Sequence, residues 1–292
     1  MGGMNEVVVA TADETAATRA MQGAAREVLR IETKYSRYRT DSDSVVYRIN
    51  QAAGGTASVP CDPETMELFN FADLLFHKSG GLFDITSGIL RRAWDFSKPV
   101  LPTQEMLDPL LALIDWNKVE RSESGVRLRL KGMEIDFGGF GKEYASDRAA
   151  KILTAMGVAH GYVNLGGDIR AVGPRPDGQP WLIGVPDPRK PGAVIATIAL
   201  STGALATSGD YEKFIEICGR RYSHILNPKS GFPVNCWRSV SISSVTAISA
   251  GGHATIAMLK ESEAESFLRQ SNCAYFLVDL TGRFHSNGLP NT

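Results

Sequence analysis

Asp136-Phe-Gly-Gly-Phe-Gly-Lys142 lies between a strand-like segment, residues 133–137, and a helical pattern that runs over residues 143–156. Its glycines let backbone N–H groups approach a ligand closely, and a turn of this kind can form an anion-binding nest. The helix start behind it offers further donors, with Lys142 as counter-charge, so a phosphate can be seated there. The stretch has neither the GxGxxG spacing of a dinucleotide fold nor the Gly-Lys-Ser/Thr ending of a P-loop. A doubly wound parallel sheet is therefore not the expectation.

Outward from that turn, residues 126–130 and 133–137 are expected to form a hairpin through Lys131-Gly132, and Gly157 is a natural stop for the helix. Nearer the start, residues 6–10 form a strand pattern. Thr11 and Glu14 make a capping box ahead of an amphipathic helix with Ala17, Met21, Ala24, Val28 and Ile31 on one face. Asp62 as N-cap and Pro63 behind it announce another helix, which should reach His77 and stop at Ser79-Gly80-Gly81. Beyond Tyr162 short strands alternate with Gly and Pro turns, and a helix over 254–268 precedes a closing strand over 274–280. No repeat and no low-complexity linker divides the chain, so residues 1–292 read as one continuous α+β unit with mixed or antiparallel sheets and packed helices.

Composition narrows the function. The 292 residues are 43% hydrophobic and 22% charged, and 31 basic residues stand against 32 acidic ones. A net charge of −1 without a basic cluster argues against nucleic acid as a partner. No apolar run reaches the roughly 20 residues of a membrane span, and the opening residues lack the pattern of a signal peptide, so a cytoplasmic location is expected. Cys61, Cys218, Cys236 and Cys273 are widely separated and form no CxxC pair, which reads as free thiols rather than a zinc site or disulfide framework.

Three further segments join glycine to a carboxylate or hydroxyl: Ser79-Gly-Gly-Leu-Phe-Asp-Ile-Thr86, Asn164-Leu-Gly-Gly-Asp168 and Thr207-Ser-Gly-Asp-Tyr211. Singly, each is explained by a tight turn. Their order and wording, however, resemble the ApbE family, the FAD:protein FMN transferases. Met1-Gly2 is similar to that family's opening, and Tyr35-Ser-Arg-Tyr-Arg-Thr-Asp-Ser42 with Asn50 to its Ser-x-Tyr-x-x-x-Ser block. Gly80–Thr86 is similar to its (S/D)GxFDxT motif, and Asp136–Lys142 with Asp147 to DxGGxxKGxxxD. The segments Asn164–Asp168, Thr207–Asp210 and His224-Ile-Leu-Asn-Pro-Lys-Ser-Gly231 follow in family order.

The resemblance implies an α+β fold around an FAD cleft. It implies an enzyme that uses Mg²⁺ to move the FMN half of its substrate FAD onto a Ser or Thr hydroxyl of a target flavoprotein, releasing AMP. By motif position it assigns FAD contacts to Met1, Tyr38, Leu82, Phe83, Asp84, Asp136, Lys142 and Ile225. It makes His224 the candidate for proton transfer or phosphate positioning, a role that suits an imidazole titrating near neutral pH. For the metal it offers the Gly139 carbonyl and the Thr255 hydroxyl, with Asp168 or Asp210 in support.

Two positions depart from the family pattern. Its late Ala-Asp-(Ala/Gly)-x-(Ala/Ser)-Thr motif reads here Ala250-Gly-Gly-His-Ala-Thr255, with Gly251 where the metal-binding Asp belongs. His253 is a poor substitute, since Mg²⁺ is a hard cation that prefers oxygen ligands. Glu143 stands where the family commonly has Gly, and is read either as a negative charge near the phosphate turn or as a solvated residue of the first helical turn. Two alternatives to the transferase follow from these departures: an FAD-binding protein that has lost catalysis, and an FAD pyrophosphatase.

Overall fold

The computed structural model describes residues 4–41 and 43–289. Strand β1 (Asn5–Val9) leads into helix α1 (Glu14–Tyr35), then α2 (Val45–Gln51), α3 (Pro63–Ser79), a 3-10 helix (Ile85–Arg92) and α4 (Gln104–Leu111). Strands β2 (Val119–Ser122) and β3 (Gly125–Leu128) precede α5 (Gly141–Ala155). Next come β4 (Gly161–Leu165), β5 (Asp168–Gly173), β6 (Trp181–Pro186), β7 (Val194–Leu200), β8 (Ala204–Gly209), β9 (Phe214–Ile217) and β10 (Arg220–Ser223). The series closes with β11 (Trp237–Ser244), α6 (Ala247–Lys260), α7 (Ala264–Gln270), β12 (Ala274–Asp279) and β13 (Phe284–Asn287). This is an α+β fold, and every strand pair within its named sheets is antiparallel. No helix among the described residues is long and apolar enough to cross a membrane.

The chain divides into two compact units. The first takes residues up to 32, residues 140–211 and residues from 236 onward; the second takes Thr33–Gly139 and Glu212–Asn235. In the first unit seven strands form one sheet in the order β1-β4-β5-β8-β11-β12-β13. The β6–β7 hairpin alternates, with Ile183, Val185, Ala196, Ile198 and Leu200 turned inward to meet Ile169, Leu205, Phe276 and Val278. Helix α5 packs on β4 and β5, and α6 packs on β8, β11 and α5.

The second unit is held by aromatic packing. Phe69 lies 5.3 Å from Phe137 and 6.5 Å from Trp116 between ring centroids. A second cluster gathers Leu90, Trp94, Leu107 and Ile215. Helix α3 has the expected ends: the Asp62 side chain accepts from Thr65 N–H, and Gly80 takes the left-handed conformation with φ of 69°.

Three local expectations are corrected. Helix α1 begins at Glu14, and Asp13 rather than Thr11 caps it, accepting from Ala16 N–H at 2.9 Å. Thr11 Oγ1 accepts from Asp13 N–H instead. The expected hairpin is displaced upstream: β3 pairs with β2, not with residues 133–137. The reason is that Asn50 acts as a false strand for that segment, accepting from Ile135 N–H at 2.7 Å and donating to Ile135 C=O at 3.0 Å.

Helix α2 went unanticipated; its signal is Ser44, whose hydroxyl accepts from Tyr47 N–H. The late helix starts at Ala247, well before residue 254, and the backbone breaks at Glu261 (φ 50°) ahead of α7. Gly251 and Gly252 therefore sit inside a buried helix rather than in a loop. Glycine there costs about 1 kcal/mol relative to alanine, so a packing reason is required.

Candidate functional site

In the second unit, the motif segments converge through Arg37. Its guanidinium donates to Gly88 C=O and to Glu134 (2.6 Å), and lies 3.5 Å from Asp136. Asp136 also accepts from Gly138 N–H at 2.8 Å, and its own N–H donates to Ile85 C=O. This joins the Asp136 turn to the 79–86 loop. Tyr38, next to Arg37 in sequence, is 73% exposed, with the guanidinium 5.9 Å from its ring. Gly139 abuts Phe83 so closely that a Cβ would lie 2.9 Å from the ring, which explains glycine there.

Asp84 is buried and serves the backbone. One oxygen accepts from Thr86 N–H (2.8 Å) and Thr86 hydroxyl (2.7 Å), and the other from Trp116 N–H (3.1 Å). Burial pushes its carboxyl above the ordinary range, and those three donors pull against that shift. Phe83 is buried beside it and Leu82 is half-buried.

His224 and Ile225 belong to a separate group of the same unit, just after β10. His224 N–H donates to Lys213 C=O, and ring Nδ1 is 3.2 Å from the same oxygen. A carbonyl can only accept, so that contact places the proton on Nδ1. Ile225 is buried and its C=O accepts from Val234 N–H. Met1 lies outside the described residues.

Lys142 and Thr255 belong to the first unit, where four elements bring polar groups together. Asn164 Oδ1 accepts from Gly167 N–H, and Gly166 and Gly167 take φ of 61° and 93°, forming the two-residue turn that joins β4 to β5. That turn sets Asp168 at the start of β5, 2% exposed, where it accepts from Lys142 Nζ at 2.8 Å and from Thr207 N–H. Beside Thr207, the Ser208 hydroxyl is 3.3 Å from Thr255 Oγ1. Asp210 is committed elsewhere, in a two-pronged ion pair with Arg189 at 2.7 and 2.6 Å.

The two departures from the motif meet here. Glu143 is buried at 6% exposure, not solvated, and its Oε2 has no hydrogen-bond partner. A Cβ on Gly251 would lie 2.5 Å from Glu143 Oε1 and 2.6 Å from its Cγ. Burial first, and then the neighbouring Asp168 carboxylate, push the Glu143 carboxyl upward. One turn along both helices Asp147 fixes the same seam, accepting from Ala247 N–H (2.8 Å) and Ile248 N–H (2.9 Å) at the start of α6. His253 does not take the missing role: its Nδ1 bonds Ser249 C=O and its ring stacks on Phe267.

The arrangement can hold an oxyanion through a cation. No side chain caps the N-terminus of α5, whose first turn carries Lys142. Two carboxylates against one ammonium would repel a phosphate unless a cation stood between them. No group of three or more His, Cys, Asp or Glu converges among the described residues, so such a cation would need hydroxyl, water or ligand oxygens as well. A groove lined by Val9, Thr11, Met156, His160 and Pro176 contains none of the expected site residues.

The model of the ApbE family matches residues 1–277. The FAD:protein FMN transferase of Haemophilus influenzae is 27% identical over 260 residues, which cover 85% of this chain and 75% of the relative. That of Vibrio cholerae is 30% identical over 250 residues, 83% and 73% of the two chains. Among solved structures, the ApbE protein of Thermotoga maritima superposes with a TM-score of 0.86 at 29% identity, covering 98% of this chain and 97% of that one. The flavin transferase ApbE of Vibrio cholerae superposes with a TM-score of 0.82 at 26% identity, covering 96% and 90%.

Proposed function

Because the chain belongs to the ApbE family, we propose that it is an FAD:protein FMN transferase, acting as a single domain on a target flavoprotein that offers a Ser or Thr hydroxyl. In the reaction the acceptor oxygen bonds to the FMN phosphorus, the bond from that phosphorus to the AMP oxygen breaks, and the hydroxyl proton leaves to a base. Such a displacement depends on positioning and charge neutralisation more than on covalent chemistry.

The observation that carries this reading is the first turn of α5, with its uncapped N-terminus, Lys142 and a buried, unpartnered carboxylate. The α5 N–H groups and Lys142 are suited to orient the pyrophosphate. Thr255 and the buried carboxylates of this unit suit a hard divalent cation such as Mg²⁺. When bound, that cation would neutralise phosphate charge. In the second unit, the exposed Tyr38 ring and half-buried Leu82 supply apolar surface suited to the flavin, with Phe83 and Ile225 buried behind their loops and Asp84 and Asp136 holding the loops' shape. His224, with Nδ1–H held by Lys213 C=O, presents its other nitrogen as the base.

The test supplies purified protein with FAD, with and without Mg²⁺, and an acceptor flavoprotein domain. Flavin fluorescence on a denaturing gel and AMP release are read together. A fluorescent acceptor band that requires Mg²⁺, with AMP released alongside, is expected. AMP without a labelled acceptor would make the protein an FAD pyrophosphatase, and absence of FAD binding would overturn the reading.

A further inference from the structure

Glu143 is an anomaly on its own terms. A carboxylate buried with one oxygen unpartnered is costly unless something absent from the apo chain completes it. The side chain fills the space left open by a glycine in the middle of α6, a position where glycine itself weakens the helix. Two unfavourable choices, one on each helix, are thus made at a single contact.

We propose that Glu143 is a ligand of a hard divalent cation, supplying from α5 the carboxylate that the family motif would draw from position 251 on α6. The local geometry supports the transfer of that duty across the seam. Gly251 and Thr255 are one helical turn apart and so share a face of α6, placing the Thr255 hydroxyl on the side that Glu143 packs against. Thr255 is tied through Ser208 to β8, and the adjacent Thr207 N–H holds the Asp168 carboxylate. Glu143, Thr255 and Asp168 therefore border one small region, reached from four elements of the same unit. The donors are all oxygens, which selects Mg²⁺ or Mn²⁺ over softer metals.

The same contact shows that the two arrangements exclude each other. With Glu143 present, an Asp at 251 would overlap its side chain and add a second buried carboxylate. Gly251→Asp alone is thus not a repair but a collision, and the family arrangement is recovered only when Glu143 is also reduced to Gly. The missing Asp is then no sign of lost catalysis. This inference rests on the transferase reading for the identity of the cation's phosphate partner.

The experiment is a Mn²⁺ titration followed by electron paramagnetic resonance on the full chain, with FAD present and absent. FAD affinity in chelator and the melting temperature are measured in parallel. Wild type is expected to immobilise Mn²⁺. Glu143→Gln should weaken that binding by at least about tenfold while keeping FAD affinity in chelator and a melting temperature no lower than wild type. The double variant Glu143→Gly with Gly251→Asp should restore Mn²⁺ binding, and Gly251→Asp alone should not improve it.

Wild-type Mn²⁺ affinity in a folded Glu143→Gln would overturn the inference, as would failure of the wild type to bind Mn²⁺. Those results would leave the transferase reading standing if FAD still binds. Loss of FAD binding in the wild type would sink that reading instead, and the flavin-free titration then decides Glu143 by itself.

Discussion

The two units differ in how one inward-facing carboxylate is treated. In the second unit Asp84 and Asp136 are each bonded to main-chain N–H groups, and Asp136 has a guanidinium beside it as well. In the first unit Asp147 behaves likewise, capping α6, but Glu143 faces a glycine and leaves an oxygen unpartnered. Motif position assigns Asp84 and Asp136 to the site and passes over Glu143, which stands where the family commonly has Gly. Hydrogen-bond accounting separates groups that hold the fold from one that awaits something else, because a satisfied acceptor has little left to offer a ligand.

The sharpest challenge to that distinction is Asp84→Ala, which would orphan three donors around the 3-10 helix. It is expected to destabilise the protein by about 3 kcal/mol, read from urea unfolding. A loss within 0.5 kcal/mol, the range of an ordinary surface change, would break the comparison. His224→Ala comes next, and on rate rather than stability: FMN transfer should fall about 100-fold with FAD affinity and melting temperature retained. An unchanged rate would remove His224 from the chemistry.

Asp147→Ala should cost about 2 kcal/mol by exposing the first N–H groups of α6, again by urea unfolding. It should also weaken Mn²⁺ binding, since it loosens the seam that holds Glu143 against Gly251. The smallest effect carries the opposite sign. Glu143→Gln should stabilise the metal-free protein by about 1 kcal/mol at neutral pH, because it removes a carboxyl that burial forces above its ordinary range, a cost that grows as pH rises past that range. A clear destabilisation would mean that Glu143 is structural like Asp84.

Much of the fold was legible because its signals are local. Asp62, Pro63 and Gly80 mark the ends of α3 in the sequence as plainly as they do in the structure, and Gly157 ends α5 as expected. The order of the glycine turns pointed to the family that the comparisons show. What failed locally did so because distant groups intervened: Asn50 took both backbone bonds of Ile135, and Ile85 C=O took the N–H of Asp136. At Gly251, too, a distant group bears on the position, since a Cβ there would meet Glu143. Read along the chain, the glycine pair lies just ahead of an expected helix over 254–268, and Gly251 stands where the family motif has Asp. Read across the α5–α6 contact, the glycine makes room for a Glu that is far away in sequence. The sequence did present both departures, and only their adjacency was hidden.

The division of the chain into interleaved pieces bears on how the protein is made. Strand β5 waits for its neighbour β8, and β8 for β11, while residues 212–235 of the second unit are translated between them. A ribosome therefore releases Leu205 and Ala206 before Ser243 and Ile242 arrive to pair with them. Through that interval the growing chain carries an open strand edge, the kind of surface that invites association with other chains. Expression at lower temperature or with a chaperone that shields nascent strands should raise the soluble yield more than it would for a protein whose units are contiguous in sequence.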